Sequence, residues 1–136
     1  AMDEANVGIT ISDPATEDNP LIYVNDGFVK QTGYSRTESV GRNCRFLQGE
    51  ETEESTLDDL REAIAADTPI TVELRNYRQN GEQFWNRLSV TPIFDDAGEL
   101  ANHIGIQQDV TQIRESQREL RAERERFKLL IESTDE

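Results

Sequence analysis

Cysteine and histidine are nearly absent from this sequence, which has one of each in 136 residues. A single cysteine excludes a disulfide within the chain. A structural zinc site needs several Cys or His ligands, and only Cys44 and His103 are available. We therefore expect no metal site, and a reducing compartment, which we take to be the cytoplasm.

Basic residues are half as numerous as acidic ones, 14 against 28, and the formal net charge is -14. Nucleic acid and anionic membrane would both repel such a chain, so we expect contact with neither. Lys30 and Lys128 are the only lysines, and the other basic residues are arginines. With so acidic a composition, this preference for arginine predicts a protein adapted to high salt.

Long apolar runs are missing as well. No stretch of about 18 apolar residues is present, and the N-terminus lacks the basic and hydrophobic segments of a signal peptide. The length of 136 residues is that of about one domain. We expect one soluble domain without a membrane span.

The first half of the chain alternates short apolar runs with turn and helix signals. Residues 7–12 and 21–24 predict two strands, separated by a turn-rich segment. Ser35 is expected to cap a helix over residues 36–40. Thr52 is expected to cap a longer helix that ends at residues 67–69.

From Ile70 onward the apolar residues alternate with a period of two. Three strands are predicted, at residues 70–78, 83–94 and 99–110, with turns at Asn80-Gly81 and at residues 95–98. Two strands, several helices and three strands form an α+β fold. The space between an antiparallel sheet and helices packed on one face is a natural pocket.

After Val110 the sequence becomes charged and helical. Its apolar residues recur every seven positions, at Ile113, Leu120 and Phe127. Gln117 and Arg124 interrupt this seam, so a homodimer through the helix and a solvated single helix both stay open. We predict a core at residues 1–110, a helical linker at 111–126 and the start of a following domain at 127–136.

Three amide side chains fall on the apolar faces of the predicted strands: Asn76, Asn86 and Gln107. A buried amide without partners costs about 1–3 kcal/mol, so each needs a polar partner inside the pocket. Amides both donate and accept, which suits the alternating carbonyl and N–H edge of a pyrimidine-like ring. Bonding to one another or to the backbone is the alternative.

The segment Gly41-Arg42-Asn43-Cys44-Arg45-Phe46-Leu47-Gln48-Gly49 closely resembles the signature of LOV domains, the flavin-binding blue-light sensors of the PAS superfamily. The resemblance runs from about Gly8 to Thr111. Its other matches include Asn19-Pro20, Thr32-Gly33-Tyr34-Ser35, Asn76-Tyr77, Phe84-Trp85-Asn86 and Gly105-Ile106-Gln107. It implies a PAS fold: a five-stranded antiparallel sheet with helices packed on one face and a C-terminal signalling helix.

The resemblance also implies the chemistry. Cys44 matches the photoactive cysteine, whose sulfur bonds reversibly to carbon C4a of bound FMN on illumination. Gln107 matches the glutamine near flavin N5, which relays the change through the sheet to the C-terminal helix and an effector domain in the same chain. A lone cysteine, taken by itself, is more often a small buried hydrophobic residue.

The binding residues carry over position by position. Arg45 and Arg61 match the pair that holds the ribityl phosphate, and a dianion in so acidic a domain needs such cations. Asn43 and Gln48 match residues bonding the ribityl chain and the phosphate or ring side, and Asn76 and Asn86 those at the pyrimidine edge. The apolar walls would be Phe28, Leu57, Leu60, Ile64, Leu74, Leu88 and Val90.

Two positions depart from the family pattern. His103 stands where many LOV domains have an aromatic residue, and we interpret it as a structural or surface group. The alternative is a titratable base that speeds adduct breakdown. Gln108 lies on the outer sheet face where an apolar residue would dock the C-terminal helix, which favours a helix that continues outward.

A second function stays open, namely a flavin-binding redox or oxygen sensor in which Cys44 packs without reacting. An enzyme is disfavoured, because the sequence has no Ser/His/Asp set, metal cluster or Gly-rich phosphate loop. The short connection after Gly49 favours FMN over FAD, since no loop is available to cover an adenine.

Overall fold

The computed structural model describes residues 7–133. Five strands form one sheet: β1 Val7–Ser12, β2 Leu21–Val24, β3 Ile70–Tyr77, β4 Gln83–Phe94 and β5 Leu100–Asp109. The strand order is β2-β1-β5-β4-β3, and every neighbouring pair is antiparallel. This sheet confirms the predicted α+β fold with a five-stranded antiparallel sheet. The prediction was possible because the period-two pattern and the two hairpin turns are local signals.

Two short helices follow β2, α1 at Asp26–Thr32 and α2 at Arg36–Ser39. The Asn25 side chain caps α1 by accepting from Phe28 N at 2.9 Å, and Gly33 ends it in the left-handed conformation, with φ of 78°. Ser35 caps α2 as predicted, within a capping box completed by Glu38. These caps fix the course of the chain toward the segment that carries Cys44.

The predicted cap at Thr52 is wrong. The next helix, α3 at Glu54–Ala65, has Glu53 as its N-cap and no side-chain cap bond. The Thr52 hydroxyl instead donates to the Arg75 carbonyl at 2.6 Å and accepts from Gly49 N at 3.1 Å. The Thr52 hydroxyl therefore bonds to β3 and does not form the helix cap that its local sequence predicts.

The core lies between the inner face of the sheet and the helices. Leu21, Val24, Phe28 and Leu47 form one buried cluster there. The outer face of the sheet carries exposed Ile9, Ile93 and Ile106. The helices thus cover one face only, as the PAS resemblance implies.

The C-terminal helix α4, Thr111–Ser133, is anchored at its first turn. Trp85 N donates to the Thr111 hydroxyl at 2.9 Å, and the Arg114 guanidinium lies 3.6 Å from the centroid of the Trp85 ring. Every residue from Glu115 to Ser133 is exposed. The helix therefore leaves the sheet and continues outward, in agreement with the interpretation of Gln108.

Helix α4 runs without interruption past Phe127. The predicted boundary between residues 126 and 127 therefore falls inside one helix, and residues 134–136 lie outside the described part of the chain. The division into linker and following domain stays a prediction. Within residues 7–133, none of the helices has both the length and the apolar character needed to cross a membrane.

Candidate functional site

A cavity of about 670 Å³ lies between the inner face of the sheet and the helices, within the size range of small-molecule sites. Its walls come from β1, β3, β4, β5, the loop after β1, the turn at Cys44 and the last part of α3. Most of the predicted site residues line it: Asn43, Cys44, Arg45, Gln48, Leu60, Arg61, Ile64, Leu74, Asn76, Asn86, Leu88, Val90 and Gln107.

Two predicted wall residues do not reach the cavity. Phe28 is fully buried, but it packs in the core cluster with Leu21, Val24 and Leu47. Leu57 is also buried, yet the part of α3 that lines the cavity begins one turn later, at Leu60. Both were placed in the wall by the LOV resemblance, which matches sequence positions and does not show which part of an apolar surface meets a ligand.

Asn76 and Asn86 are 3% and 1% exposed and are diagonal neighbours on β3 and β4, where the register pairs Asn86 with Leu74 and Asn76 with Phe84. The Asn86 amide donates to Asn76 Oδ1 at 2.9 Å, and the Asn76 amide donates to the Arg75 carbonyl at 3.2 Å. The alternative of mutual bonding is therefore correct for this pair. Asn86 Oδ1 is still a buried acceptor with no partner among the described residues, so the pair can receive an N–H from a ligand.

Gln107 is 1% exposed and lies on β5, beside the asparagine pair. Its Nε2 donates to the Thr10 hydroxyl at 3.3 Å, whereas Oε1 has no partner in residues 7–133. The three predicted amides thus line one cavity, and two of their carbonyl oxygens, Asn86 Oδ1 and Gln107 Oε1, have no partner among the described residues. This edge fits a ring with alternating donors and acceptors.

Cys44 begins a 3-10 turn, Cys44–Leu47, and the Asn43 side chain caps it by accepting from Arg45 N at 3.0 Å. The cysteine lies half-buried in the cavity wall. Desolvation raises the pKa of its thiol from 9.0 to about 12. The group is therefore a neutral thiol at physiological pH, and it is not activated as a thiolate nucleophile.

Arg45 and Arg61 lie at the exposed edge of the cavity, and both contact carboxylates. Arg45 makes two bonds with Asp18, at 2.7 and 2.6 Å, which hold the pKa of Asp18 below its ordinary value. Arg61 contacts Asp58 at 2.8 Å and Glu54 at 3.2 Å. Exposed pairs of this kind contribute little stability, so a phosphate dianion can compete for the guanidinium groups.

The loop after β1 was not predicted to form part of the site. Residues 14–19 nevertheless line the cavity, with Thr10 and Ser12 next to them on β1. Asn43 Nδ2 donates to the Asp18 carbonyl at 2.7 Å and holds this loop against the Cys44 turn. Alternation along β1 could have identified Thr10 and Ser12, but the course of a loop has no comparable signal.

His103 is 5% exposed and lines the cavity, so it is not a surface group. Its Nδ1 is 3.2 Å from Asn19 Nδ2, and Nε2 has no partner among the described residues. Burial lowers the pKa of the imidazole, against a smaller opposing effect of Asp67. Four residues along an extended strand span about 13 Å, so His103 and Gln107 line different parts of the cavity, and the role of His103 as a titratable base stays a prediction.

Together these residues fit a fused ring with a polar edge and an anionic tail. The asparagine pair and Gln107 supply the polar edge, Leu60, Leu74 and Val90 are apolar walls, and the arginines lie at the open end. In the described part of the chain, no group of three or more His, Cys, Asp or Glu is placed to hold a metal ion. The donor set therefore fits a flavin nucleotide.

Comparison with known proteins matches residues 6–112 to the PAS domain family. The chain is 44% identical over 132 residues to a bacterioopsin transcriptional activator of Halobacterium salinarum, covering 97% of the chain and 20% of that protein. It is 45% identical to rice phototropin-2 over 79% of the chain and 12% of the relative. The chain thus spans a fifth or less of these relatives.

Solved structures agree with the sequence comparison. The LOV domain of a blue-light activated histidine kinase from Erythrobacter litoralis is 44% identical, with a TM-score of 0.73 over 76% of this chain and 95% of that one. The light-state structure of the blue-light photoreceptor Aureochrome1 LOV is 41% identical, with a TM-score of 0.76 over 79% of this chain and 84% of that one.

Proposed function

The chain belongs to the PAS domain family and, within it, to the LOV domains, and from this membership we propose a blue-light photoreceptor domain that binds FMN and bonds it reversibly through Cys44. Relatives named as blue-light photoreceptors support the light-sensing function. The observation that carries the proposal is the placement of a neutral, half-buried thiol in the same cavity as three buried amides.

The chemistry of the chain's own residues is simple. Bound flavin supplies absorption of blue light and an electrophilic carbon, C4a, next to nitrogen N5. With flavin bound, Cys44 would supply its sulfur to C4a and its S–H proton to N5 on illumination, and would regain the proton as the thiol is restored in darkness. A thiol with a pKa of about 12 carries the required proton at neutral pH, so no separate base is needed.

FMN is favoured over FAD by the arrangement of charges at the edge of the cavity. Arg45 and Arg61 are the cations in the lining, and they suit one terminal phosphate. The segment between the Cys44 turn and α3 covers residues 48–53 only, which provides little chain to enclose an adenine. Asn43 and Gln48 lie beside Arg45 in the lining and are proposed to bond the ribityl chain.

The signal is proposed to leave through β5 and α4. Two residues after Gln107, the Asp109 carboxylate accepts from Thr111 N at 3.0 Å and from Arg78 at 2.8 Å. A change in the Gln107 amide therefore reaches the start of α4 through the end of its own strand. An effector domain beyond α4 is proposed because relatives include histidine kinases and a transcriptional activator.

Helix α4 is also proposed to pair with a second copy. Leu120, Phe127 and Ile131 lie along one side of the helix, and each is at least half exposed. Gln117 and Arg124 make this seam weaker than a regular coiled coil. Light scattering after size exclusion should give a dimer mass that Leu120→Glu reduces to that of a monomer; a monomeric wild type would exclude this pairing.

The test of the function is an absorption spectrum in high salt before and after a pulse of blue light. Protein loaded with FMN should lose the blue absorption band of oxidised flavin and regain it in darkness. Cys44→Ala should stay yellow under the same light, while Cys44→Ser controls for the volume of the side chain.

Two results would oppose the proposal. A yellow protein that does not bleach would favour the redox or oxygen sensor, in which Cys44 only packs. A protein that cannot be loaded with FMN would leave the PAS fold with a different ligand.

A further inference from the structure

Thr10 and Gln107 form a buried polar pair between two neighbouring strands. They are 4% and 1% exposed, and the register of β1 and β5 pairs Gly8 with Gln107 and Thr10 with Gly105. Gln107 Nε2 donates to Thr10 Oγ1 at 3.3 Å. The hydroxyl in turn donates to the Gly105 carbonyl at 3.5 Å, which is long for such a bond and therefore weak.

Both strands have a glycine at the position beside this pair. A Cβ on Gly8 would lie 2.9 Å from Gln107 Oε1, and a Cβ on Gly105 would lie 3.1 Å from Nε2 and collide with Thr10 Oγ1. Real Cβ atoms do not come so close without displacing a neighbour. The two glycines thus leave room for the amide and the hydroxyl, and for the amide to turn.

A hydroxyl can serve either end of an amide, because it has one donor and two acceptor lone pairs and rotates freely. We propose that Thr10 is a positioning residue that bonds Gln107 in both orientations, accepting from Nε2 in one and donating to Oε1 in the other. This inference rests on the proposed adduct, whose protonated N5 would turn the amide. When the hydroxyl changes partner, the bond to Oε1 replaces the bond from Nε2, and the weak bond to the Gly105 carbonyl is given up.

The other side of the amide also has a partner for the turned state. Gln31 Oε1 lies 3.3 Å from the same Gly8 Cβ position that Gln107 Oε1 approaches. Turning the amide places Nε2 on the side where Gln31 lies. Gln31 is itself held, because its Nε2 donates to the Gln107 backbone carbonyl at 3.3 Å.

Loss of the hydroxyl should affect the two orientations unequally. With Nε2 toward Thr10, removal leaves a buried N–H without an acceptor. With Oε1 toward residue 10, the amide oxygen would still accept from protonated N5 and would lose only the bond from the Thr10 hydroxyl. Buried N–H groups are seldom left unpaired, whereas a carbonyl with one partner is common. Thr10→Val should therefore disfavour the dark state more than the adduct and lengthen the adduct lifetime.

The experiment measures dark recovery in the FMN-loaded chain. Thr10→Val, which keeps the shape of the side chain, should slow recovery about three- to tenfold, the range of one lost hydrogen bond. Thr10→Ser keeps the hydroxyl and should recover within about twofold of wild type. Equal lifetimes in wild type and Thr10→Val would overturn the proposal, as would equal slowing in both variants.

A double-mutant cycle separates this role from simple packing. In a Gln107→Leu background, Thr10→Val should change the lifetime less than about twofold, because the amide is gone; a full effect there would contradict the proposal. In the light-minus-dark infrared spectrum, the Gln107 carbonyl band should move to higher wavenumber in Thr10→Val. A wild type that does not bleach would refute the adduct itself, which is a distinct outcome.

Discussion

At the scale of single residues, burial decides the protonation state of Cys44. Its thiol has a pKa of about 12, raised from 9.0 by desolvation, so it stays protonated well above neutral pH. We predict that the fraction of flavin bleached by a light pulse is constant from about pH 6 to 9. Spectra at each pH, scaled to bound flavin, measure this. A yield that rises toward pH 9 would mean that a thiolate reacts.

His103 gives a second pH dependence, and the sign follows from its lowered pKa. In the unfolded chain the His103 imidazole binds a proton near pH 6.5, whereas in the folded chain its pKa is lower. The free energy of unfolding should therefore fall as the pH drops below about 6.5. His103→Gln, whose amide can still bond Asn19, should reduce this slope by up to about 1.4 kcal/mol per pH unit.

Urea unfolding at about pH 5.5 and pH 7.5 provides the measurement. His103 is the only histidine in the sequence, which makes the comparison clean. Identical slopes in wild type and variant would show that the imidazole titrates as it does in the unfolded chain.

At the scale of elements, the first turn of α4 depends on Trp85. The Arg114 guanidinium stacks on the indole ring and forms an ion pair with Glu73 at 2.6 Å. Cation–π contacts contribute about 0.5–2 kcal/mol. We predict that Arg114→Ala speeds hydrogen exchange of the backbone amides in the first two turns of α4 about three- to tenfold.

Arg118→Ala is the matched control, because Arg118 is one turn further along the helix and exposed. It should leave those exchange rates unchanged. If both variants exchange equally fast, the stacking contact does not hold the helix. A light-induced rise in the same amides, reduced in Arg114→Ala, would connect the anchor to signalling.

Prediction from sequence succeeded for elements with a local signal. The five strands were expected within about two residues of their bounds because alternation and turn residues are local. The Ser35 cap was predictable for the same reason. Thr52 was not, because its hydroxyl bonds Arg75, which is distant in sequence. Helix α1 was not assigned bounds, since its Asn25 cap precedes only a short segment.

For the site, the nine-residue motif, the alternation of β3, β4 and β5 and the resemblance at α3 identified about half of the residues that line the cavity. Phe28 and Leu57 are buried outside the lining, since an apolar position can face the core or the ligand with equal signal. The loop at residues 14–19 and its contact between Asp18 and Arg45 depend on tertiary geometry, which no local pattern encodes.

At the scale of the whole molecule, the net charge of -14 dominates. Self-repulsion among acidic side chains destabilises the compact state at low ionic strength, where the screening length is about 10 Å at 0.1 M salt. We predict that potassium chloride raised from about 0.1 M to 2 M increases the melting temperature by at least about 5 °C, or roughly 1 kcal/mol.

The control removes charge without touching an ion pair. Glu62, Asp96 and Glu119 are exposed and form no ion pair with a described residue. Their joint replacement by Gln, Asn and Gln should raise the melting temperature in low salt and reduce the gain from added salt. A melting temperature that does not respond to salt in either protein would refute adaptation to high ionic strength.

Because α4 leaves the sheet, a small movement at its first turn becomes a larger displacement at its far end. Its 23 residues measure about 34 Å along the axis, and only the first turn touches the sheet. The helix is thus a long rod that is held at one end, by its contact with Trp85. A tilt of about 5° at that point displaces the far end by about 3 Å, so a small shift at the sheet becomes several times larger at the end of the helix.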